Sequence, residues 1–294
     1  MDTESLKAFL VVAELRSFSL AAQHLHLTQP AVSKRIAALE SLLDYQLFDR
    51  IGRSIQLTEA GQTLLPRAQN ILAELAETRR VIADLSGEVV GDLRVATSHH
   101  VGLHRLPPLL REFASRYPRV NLQFDFLDSE KAHERVLRGD CELAVVTLAP
   151  KAPENLRLEV LWHDPLVFVT GAQGDFPAAR ATLQQLSQRP AILPDLSTYT
   201  GRLVKACFDQ QRLALRLSMT TNYLETIKMM VSVGLGWSVL PESLVDSQLC
   251  HLDIAGVELS RQLGIVTHAK RSLSNAAAAF HGLLSTEKTF LPKA

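Results

Sequence analysis

From Glu4 to Leu15 apolar residues recur at helical spacing, with Leu6, Phe9, Leu10 and Ala13 on one side, and the run stops at the polar pair Arg16 and Ser17. A second short helix is expected from about Leu20 to His26, with Ser19 as its N-cap and Ala21, Ala22 and Leu25 as a small packing face. A third begins at Thr28, whose hydroxyl suits an N-cap, and holds Pro30 in its first turn, where a missing backbone N–H costs nothing. Val32, Ile36, Leu39 and Leu43 give it one buried stripe, while Gln29, Ala31, Ser33 and Lys34 stand opposite. LFDRIGRSIQLT then reads as two short strands around Gly52, a wing with Arg50 and Arg53 near its tip.

The next pattern is longer. Between Thr58 and Leu85 the residues Leu64, Ala68, Ile71, Leu75, Thr78, Ile82 and Leu85 form a heptad seam, which one helix cannot bury alone and which therefore predicts pairing with a second copy of the chain. Pro66 lies inside the seam and predicts a kink. After the Gly-punctuated hinge SGEVVGD, β-rich runs (LRVATS, VNLQFDF, CELAVVT) alternate with helical ones, the signature of parallel βαβ units. A second series follows with PLVFVTG, AILP, LRLSMTT and GWSVLP; RQLGIVTHA is then a strand, and the terminal helix SNAAAAFHGLLSTE is expected to return to the first series.

Length and charge narrow the class without naming a partner. The 294 residues exceed one ordinary core, and 31 basic against 31 acidic side chains give no bulk attraction to nucleic acid. No apolar run reaches the roughly 20 residues of a membrane span, and the start MDTESLKAFLVV is acidic where a signal peptide is basic, so a cytoplasmic protein with no membrane partner is expected. Cys141, Cys207 and Cys250 lack any metal or disulfide spacing and read as free buried thiols.

The polar face of the third helix carries the chemistry. Preceded by two short helices, it has the position of the recognition helix of a helix-turn-helix, laid in a major groove. Gln29 offers an amide to adenine, Ala31 a methyl contact to thymine, and Ser33 and Lys34 donors to guanine or phosphate. Basic and acidic residues balance within the first 58 positions, so binding to double-stranded DNA depends on where the cations sit. An enzyme is the rival reading, but the chain contains no GxSxG elbow and no phosphate loop, and scattered Ser, His and Asp residues are expected by chance. A stand-alone solute-binding protein would leave the head and seam unexplained.

FSLAAQHLHLTQPAVSKRIAALE, LFDR and LTEAG together make the chain resemble a LysR-type transcriptional regulator over its whole length. The resemblance implies an α/β protein with an all-α head: a winged helix-turn-helix over 1–58, a dimerisation helix over 59–86, a hinge at 87–91 and a periplasmic-binding-protein-like effector domain over 92–294. Its lobe I would take residues 92–162 and 267–294, and its lobe II 163–266. The family's DNA contacts fall on Gln29, Pro30, Ser33, Lys34 and Arg53, supported by Ser19 and Thr28; Lys34 stands where many relatives carry Arg, a point charge in place of a two-pronged donor. The same resemblance implies a homodimer or homotetramer, an activator that engages RNA polymerase and represses its own gene, and a small-molecule effector between the lobes.

Effector contacts are implied at Thr97, Ser98, His99, His100, Thr147, Ser197 and Thr198, with the turn from Leu235 to Trp237 closing lobe II nearby; hydroxyls and helix starts there favour a small anion. His99 and His100 read either as hydrogen-bonding or pH-sensitive groups at the cleft mouth or as part of a structural loop. A metal would need further ligands, of which the sequence offers only His104, so no metal and no cofactor is assigned.

Overall fold

The computed structural model describes residues 1–51, 54–85, 87–172 and 180–286. It divides into two compact units, Met1–Ser86 and Gly87–Ala294.

In the N-terminal unit, helices α1 (Thr3–Leu15), α2 (Phe18–His24) and α3 (Gln29–Leu43) are followed by strands β1 (Phe48–Ile51) and β2 (Ser54–Leu57) and by the long helix α4 (Glu59–Asp84). Leu6, Phe9, Val12, Ala21, Val32, Ile36 and Leu39 form its core. The second helix starts two residues earlier than its pattern suggested: Ser17, not Ser19, is the N-cap and accepts the Leu20 N–H at 3.3 Å. Packing explains the shift, since helical Phe18 is buried with its ring edge-on to Phe48 at 5.8 Å. Thr28 caps α3 as expected, accepting from the Ala31 N–H at 3.4 Å. β1 and β2 pair antiparallel, with Phe48 opposite Leu57.

Helix α4 continues through Pro66, and Thr58 caps it by accepting the Gly61 N–H at 3.0 Å. The heptad seam is divided. Ala68 is fully buried in the head's own core with Leu64 packed against it, whereas Ile71, Ile82 and Leu85 are exposed. Only the later part of the stripe is thus left uncovered by its own unit.

The C-terminal unit runs β3 (Gly91–Thr97), α5 (His99–His104), α6 (Pro107–Arg116), β4 (Val120–Phe126), α7 (Ser129–Arg138), β5 (Leu143–Thr147) and β6 (Leu156–Gly171). There follow β7 (Arg180–Ala181), α8 (Leu183–Ser187), β8 (Ala191–Leu193), α9 (Tyr199–Gln210), β9 (Leu217–Thr220), α10 (Leu224–Ser232), β10 (Ser238–Pro241), β11 (Leu249–Ile254), β12 (Leu259–His268) and α11 (Asn275–Thr286). β3 pairs parallel with β4 and β5, and β8 with β9, as the alternation predicted. Every residue of LAVVT in β5 is buried because both faces of the sheet are covered: Leu143 and Val145 face α6 and α11, while Ala144 and Val146 face α7. The terminal helix does return to the first series, with Phe280 edge-on to Phe113 at 5.0 Å.

The connection between the lobes departs from the parallel pattern. β6 is one 16-residue strand, antiparallel to β12 through its first part and to β10 and β11 through its second. Pro165, which begins the apparent strand PLVFVTG, stands inside β6 near the point where these partners change. The lobe limits expected at 162/163 and 266/267 therefore fall within continuous strands. A bulge between Leu263 and Gly264 marks the crossing, and a Cβ on Gly264 would lie 2.0 Å from the Glu159 carbonyl oxygen of β6. Gly264→Ala is expected to destabilise the protein by about 1–3 kcal/mol through this overpacking, read from urea unfolding. Wild-type stability in the variant would mean that β6 yields freely at Glu159.

Candidate functional site

Two surfaces carry the candidate chemistry. On α3, Gln29, Pro30 and Lys34 are exposed and Ser33 is half-buried: Pro30 and Lys34 lie opposite Val32, Ile36 and Leu39, while Ser33 flanks that stripe and Gln29, nearer to it, is exposed as the first residue of the helix. The Gln29 amide donates to the Ser33 hydroxyl at 2.8 Å, so the two present one donor–acceptor pair. Arg35 is tied back to Glu4 of α1 at 3.3 Å, leaving Lys34 as the cation that α3 presents from this stretch. Ser19 and Thr28 are exposed at the first turn of α2 and at the cap of α3. Arg53 lies outside the described residues.

In the C-terminal unit a cleft opens beyond the carboxyl ends of the strands. Ser98, His99 and His100 follow β3, Asp128 to Glu130 follow β4, Thr147 ends β5, and Thr198 to Thr200 start α9 across from them, with Asn222 and Arg261. Ser98, His99, His100, Thr147 and Thr198 are thus brought together. Thr97 and Ser197 are not on this wall. Thr97 is the fully buried last residue of β3, and its hydroxyl donates to the Val145 carbonyl at 2.8 Å, stitching β3 to β5. Ser197 is exposed and spends both its N–H and its hydroxyl on the Asp195 carboxylate, at 2.8 and 2.6 Å. The Leu235–Trp237 turn does not line the cleft either: Trp237 is buried in the lobe II core, its indole N–H donating to the Leu186 carbonyl at 3.0 Å.

Several cleft residues are already committed to one another. Thr198 caps α9, accepting the Gly201 N–H at 3.0 Å and donating to the Asp195 carbonyl at 2.7 Å. The Tyr199 N–H at the start of α9 donates to the Glu130 carboxylate, which also lies 3.7 Å from Arg202. Burial pushes the Glu130 carboxyl above its usual range. Below them, Arg261 of β12 pairs with Asp164 of β6 at 2.8 Å and donates to the Thr200 hydroxyl at 2.9 Å. Sequence reading missed this group, because β6 also carries Arg157, Glu159 and His163 and no local pattern singled out Asp164 as the partner of Arg261.

The histidines differ in role. His99 is exposed, its ring edge-on to Tyr223 at 4.5 Å. His100 is buried, 4% exposed, and neither of its ring nitrogens has a hydrogen-bond partner. Burial, with the nearby Arg261 charge, lowers its pKa to about 4 and keeps the ring neutral. Of the cysteines, Cys141 is buried and its thiol is pushed up to about 12, too high for thiolate chemistry. Burial also raises Cys207.

A winged helix-turn-helix head followed by a long helix and a two-lobed α/β unit defines a DNA-binding transcription regulator with its own substrate-binding domain. Residues 3–62 match "Bacterial regulatory helix-turn-helix protein, lysR family" and residues 86–288 match "LysR substrate binding domain", and the chain belongs to the LysR family of transcriptional regulators. It is 64% identical over 108 residues to an uncharacterized HTH-type transcriptional regulator of Azotobacter vinelandii, covering 37% of this chain and 75% of that protein. It is 32% identical over 282 residues to the transcriptional activator CmpR of Synechocystis sp., covering 93% of this chain and 91% of the relative. A full-length OxyR variant from Pseudomonas aeruginosa shares the fold with a TM-score of 0.69 at 21% identity, over 99% of this chain and 95% of that one. The family is one of regulators, not enzymes, and no described helix is long and apolar enough to cross a membrane.

Proposed function

We propose that this regulator reads operator DNA through Gln29, Pro30, Ser33, Lys34 and Arg53, with Ser19 and Thr28 supporting the heads, and that a small anion in the cleft controls it. The observation that carries the second half is the convergence of Ser98, Thr147 and Thr198 with the start of α9 at one cleft. Glu130 already occupies the Tyr199 N–H, and we read this carboxylate as a place-holder that an acid group on the effector displaces. The exposed residues Ile71 and Ile82 of α4 and Leu85 at its C-terminal cap support assembly as a homodimer, with a homotetramer as the full form. The relative named transcriptional activator CmpR supports reading this regulator as an activator, for which RNA polymerase is the partner we propose.

Calorimetry on the full-length protein against a panel of small inorganic and organic acids tests the reading. One of them is expected to bind and to change the DNA footprint, since a ligand shifts DNA binding only by its different affinity for two states. Thr147→Val should weaken that binding by roughly 1 kcal/mol, the net worth of an ordinary hydrogen bond. Unchanged affinity would exclude Thr147 from the site, and a bound acid that left the footprint untouched would remove the control.

A further inference from the structure

Beside the cleft, which only His100 of them lines, three metal-ligand groups from the two lobes face one another. His100 and His104 lie four residues apart on α5, so their rings share one side of the helix, with centroids 5.0 Å apart. Glu225, in the first turn of α10, faces them: its Oε1 is 2.8 Å from His104 Nε2 and 3.9 Å from His100 Nδ1. One ligand atom from each of the three residues lies within 4.8 Å of the others. Bonds of about 2.0–2.1 Å in a tetrahedral site place donor atoms roughly 3.3 Å apart, so small side-chain adjustments bring all three onto one ion.

Hydrogen bonding alone explains only part of this arrangement. His104 and Glu225 satisfy each other, but His100 is buried with both ring nitrogens unpartnered, a costly condition for a polar ring. An imidazole whose nitrogens make no hydrogen bond, with Nδ1 3.9 Å from the Glu225 carboxylate and its ring beside a second histidine, has the geometry of a ligand. Asp164, 2.8 Å from Arg261 and 3.5 Å from Arg105, offsets part of the positive charge nearby, and Glu225 supplies the negative charge that faces an incoming metal.

We propose that His100, His104 and Glu225 form a binding site for a zinc-class divalent ion that clamps α5 of lobe I to α10 of lobe II. Two imidazoles and one carboxylate suit zinc, cobalt or nickel in preference to magnesium or calcium, which take oxygen ligands. Three protein ligands leave a coordination position for water or for a donor atom of a molecule in the cleft, which His100 also lines. The site is independent of the identity of the organic effector, and an ion bound there favours whichever lobe arrangement keeps all three ligands together.

The test uses untagged full-length protein stripped with a chelator and titrated with cobalt as a spectroscopic probe, then with zinc in competition. Saturable binding of one equivalent is expected, with visible cobalt bands of low coordination number and a rise in Tm on adding zinc. Glu225→Gln, which keeps a hydrogen-bond acceptor for His104, and His104→Gln should each weaken zinc binding at least about tenfold, the lower bound of what even an outer-sphere partner costs. His104 is exposed and Glu225 is half-buried, so these variants stay interpretable if His100→Gln misfolds. His24→Gln, at an exposed helix end in the head, should change nothing. Affinity and stoichiometry unmoved by the Glu225 and His104 variants would assign the metal to other histidines and overturn the proposal, as would the absence of saturable binding at millimolar zinc.

Discussion

Asp164→Ala is expected to lower the stability of the C-terminal unit by about 3–5 kcal/mol, the usual cost of removing one partner from a buried ion pair. Asp164 is 1% exposed and directly opposite Arg261 in the register of β6 and β12, where its carboxylate accepts from the guanidinium at 2.8 Å. Truncating it leaves the Arg261 charge buried with the Thr200 hydroxyl and no counter-ion, and also removes the carboxylate 3.5 Å from the more exposed Arg105. Urea unfolding of the full chain checks this, followed by probes in each unit. The transition of the C-terminal unit should move and that of the head should not. The double variant Asp164→Leu, Arg261→Met should recover most of the loss, because apolar replacements of a buried pair are often close to neutral. A single-variant loss below about 1 kcal/mol would show the pair to be hydrated and unimportant to stability.

Ser33→Ala and Lys34→Ala are each expected to weaken binding to a duplex selected from random sequence by about 1–3 kcal/mol, or about 5- to 150-fold. Ser33 accepts from the Gln29 amide, so Ser33→Ala also releases Gln29 from its fixed orientation and should relax preference at more than one base. If Lys34 instead meets phosphate, its loss should weaken all sequences alike and reduce the salt slope by about 1. Quantitative footprinting on selected and random duplexes at several salt concentrations separates the two. Wild-type affinity in both variants would move the reading surface off this face of α3. Because the two residues are adjacent, their effects need not add.

The helix-turn-helix was legible because its signals are local. Thr28 before Pro30, the stripe of Val32, Ile36 and Leu39, and Thr58 before a long helix each act within one or two turns. Ser17 and Ser19 were both acceptable caps by residue type, and the choice between them was made by Phe18 packing on Phe48, a contact 30 residues away in the chain. The same limit explains the rest. His104 and Glu225 are 121 positions apart, and Asp164 and Arg261 are 97, so only the crossing of β6 and β12 and the facing of α5 and α10 brings them together. Thr97 and Ser197 carried the right functional groups at the right strand and loop ends. Side-chain alternation turned one into the sheet, and Asp195 captured the other.

The two long strands have a mechanical consequence. The chain passes from lobe I to lobe II along β6 and back along β12, and these passages are hydrogen-bonded to each other from Leu156–His268 to Leu166–Leu259. Such a connection behaves less like a door hinge than like a torsion bar: it resists swinging and yields by twisting along its length, most easily at the irregularity beside Gly264. Relative motion of the lobes should therefore be a shallow rotation about the ribbon axis, with the amides of Val160 and Val266 among the slowest of this unit to exchange with solvent. In a regulator built this way, an effector would act by a small change of twist between the lobes and not by a wide opening of the cleft.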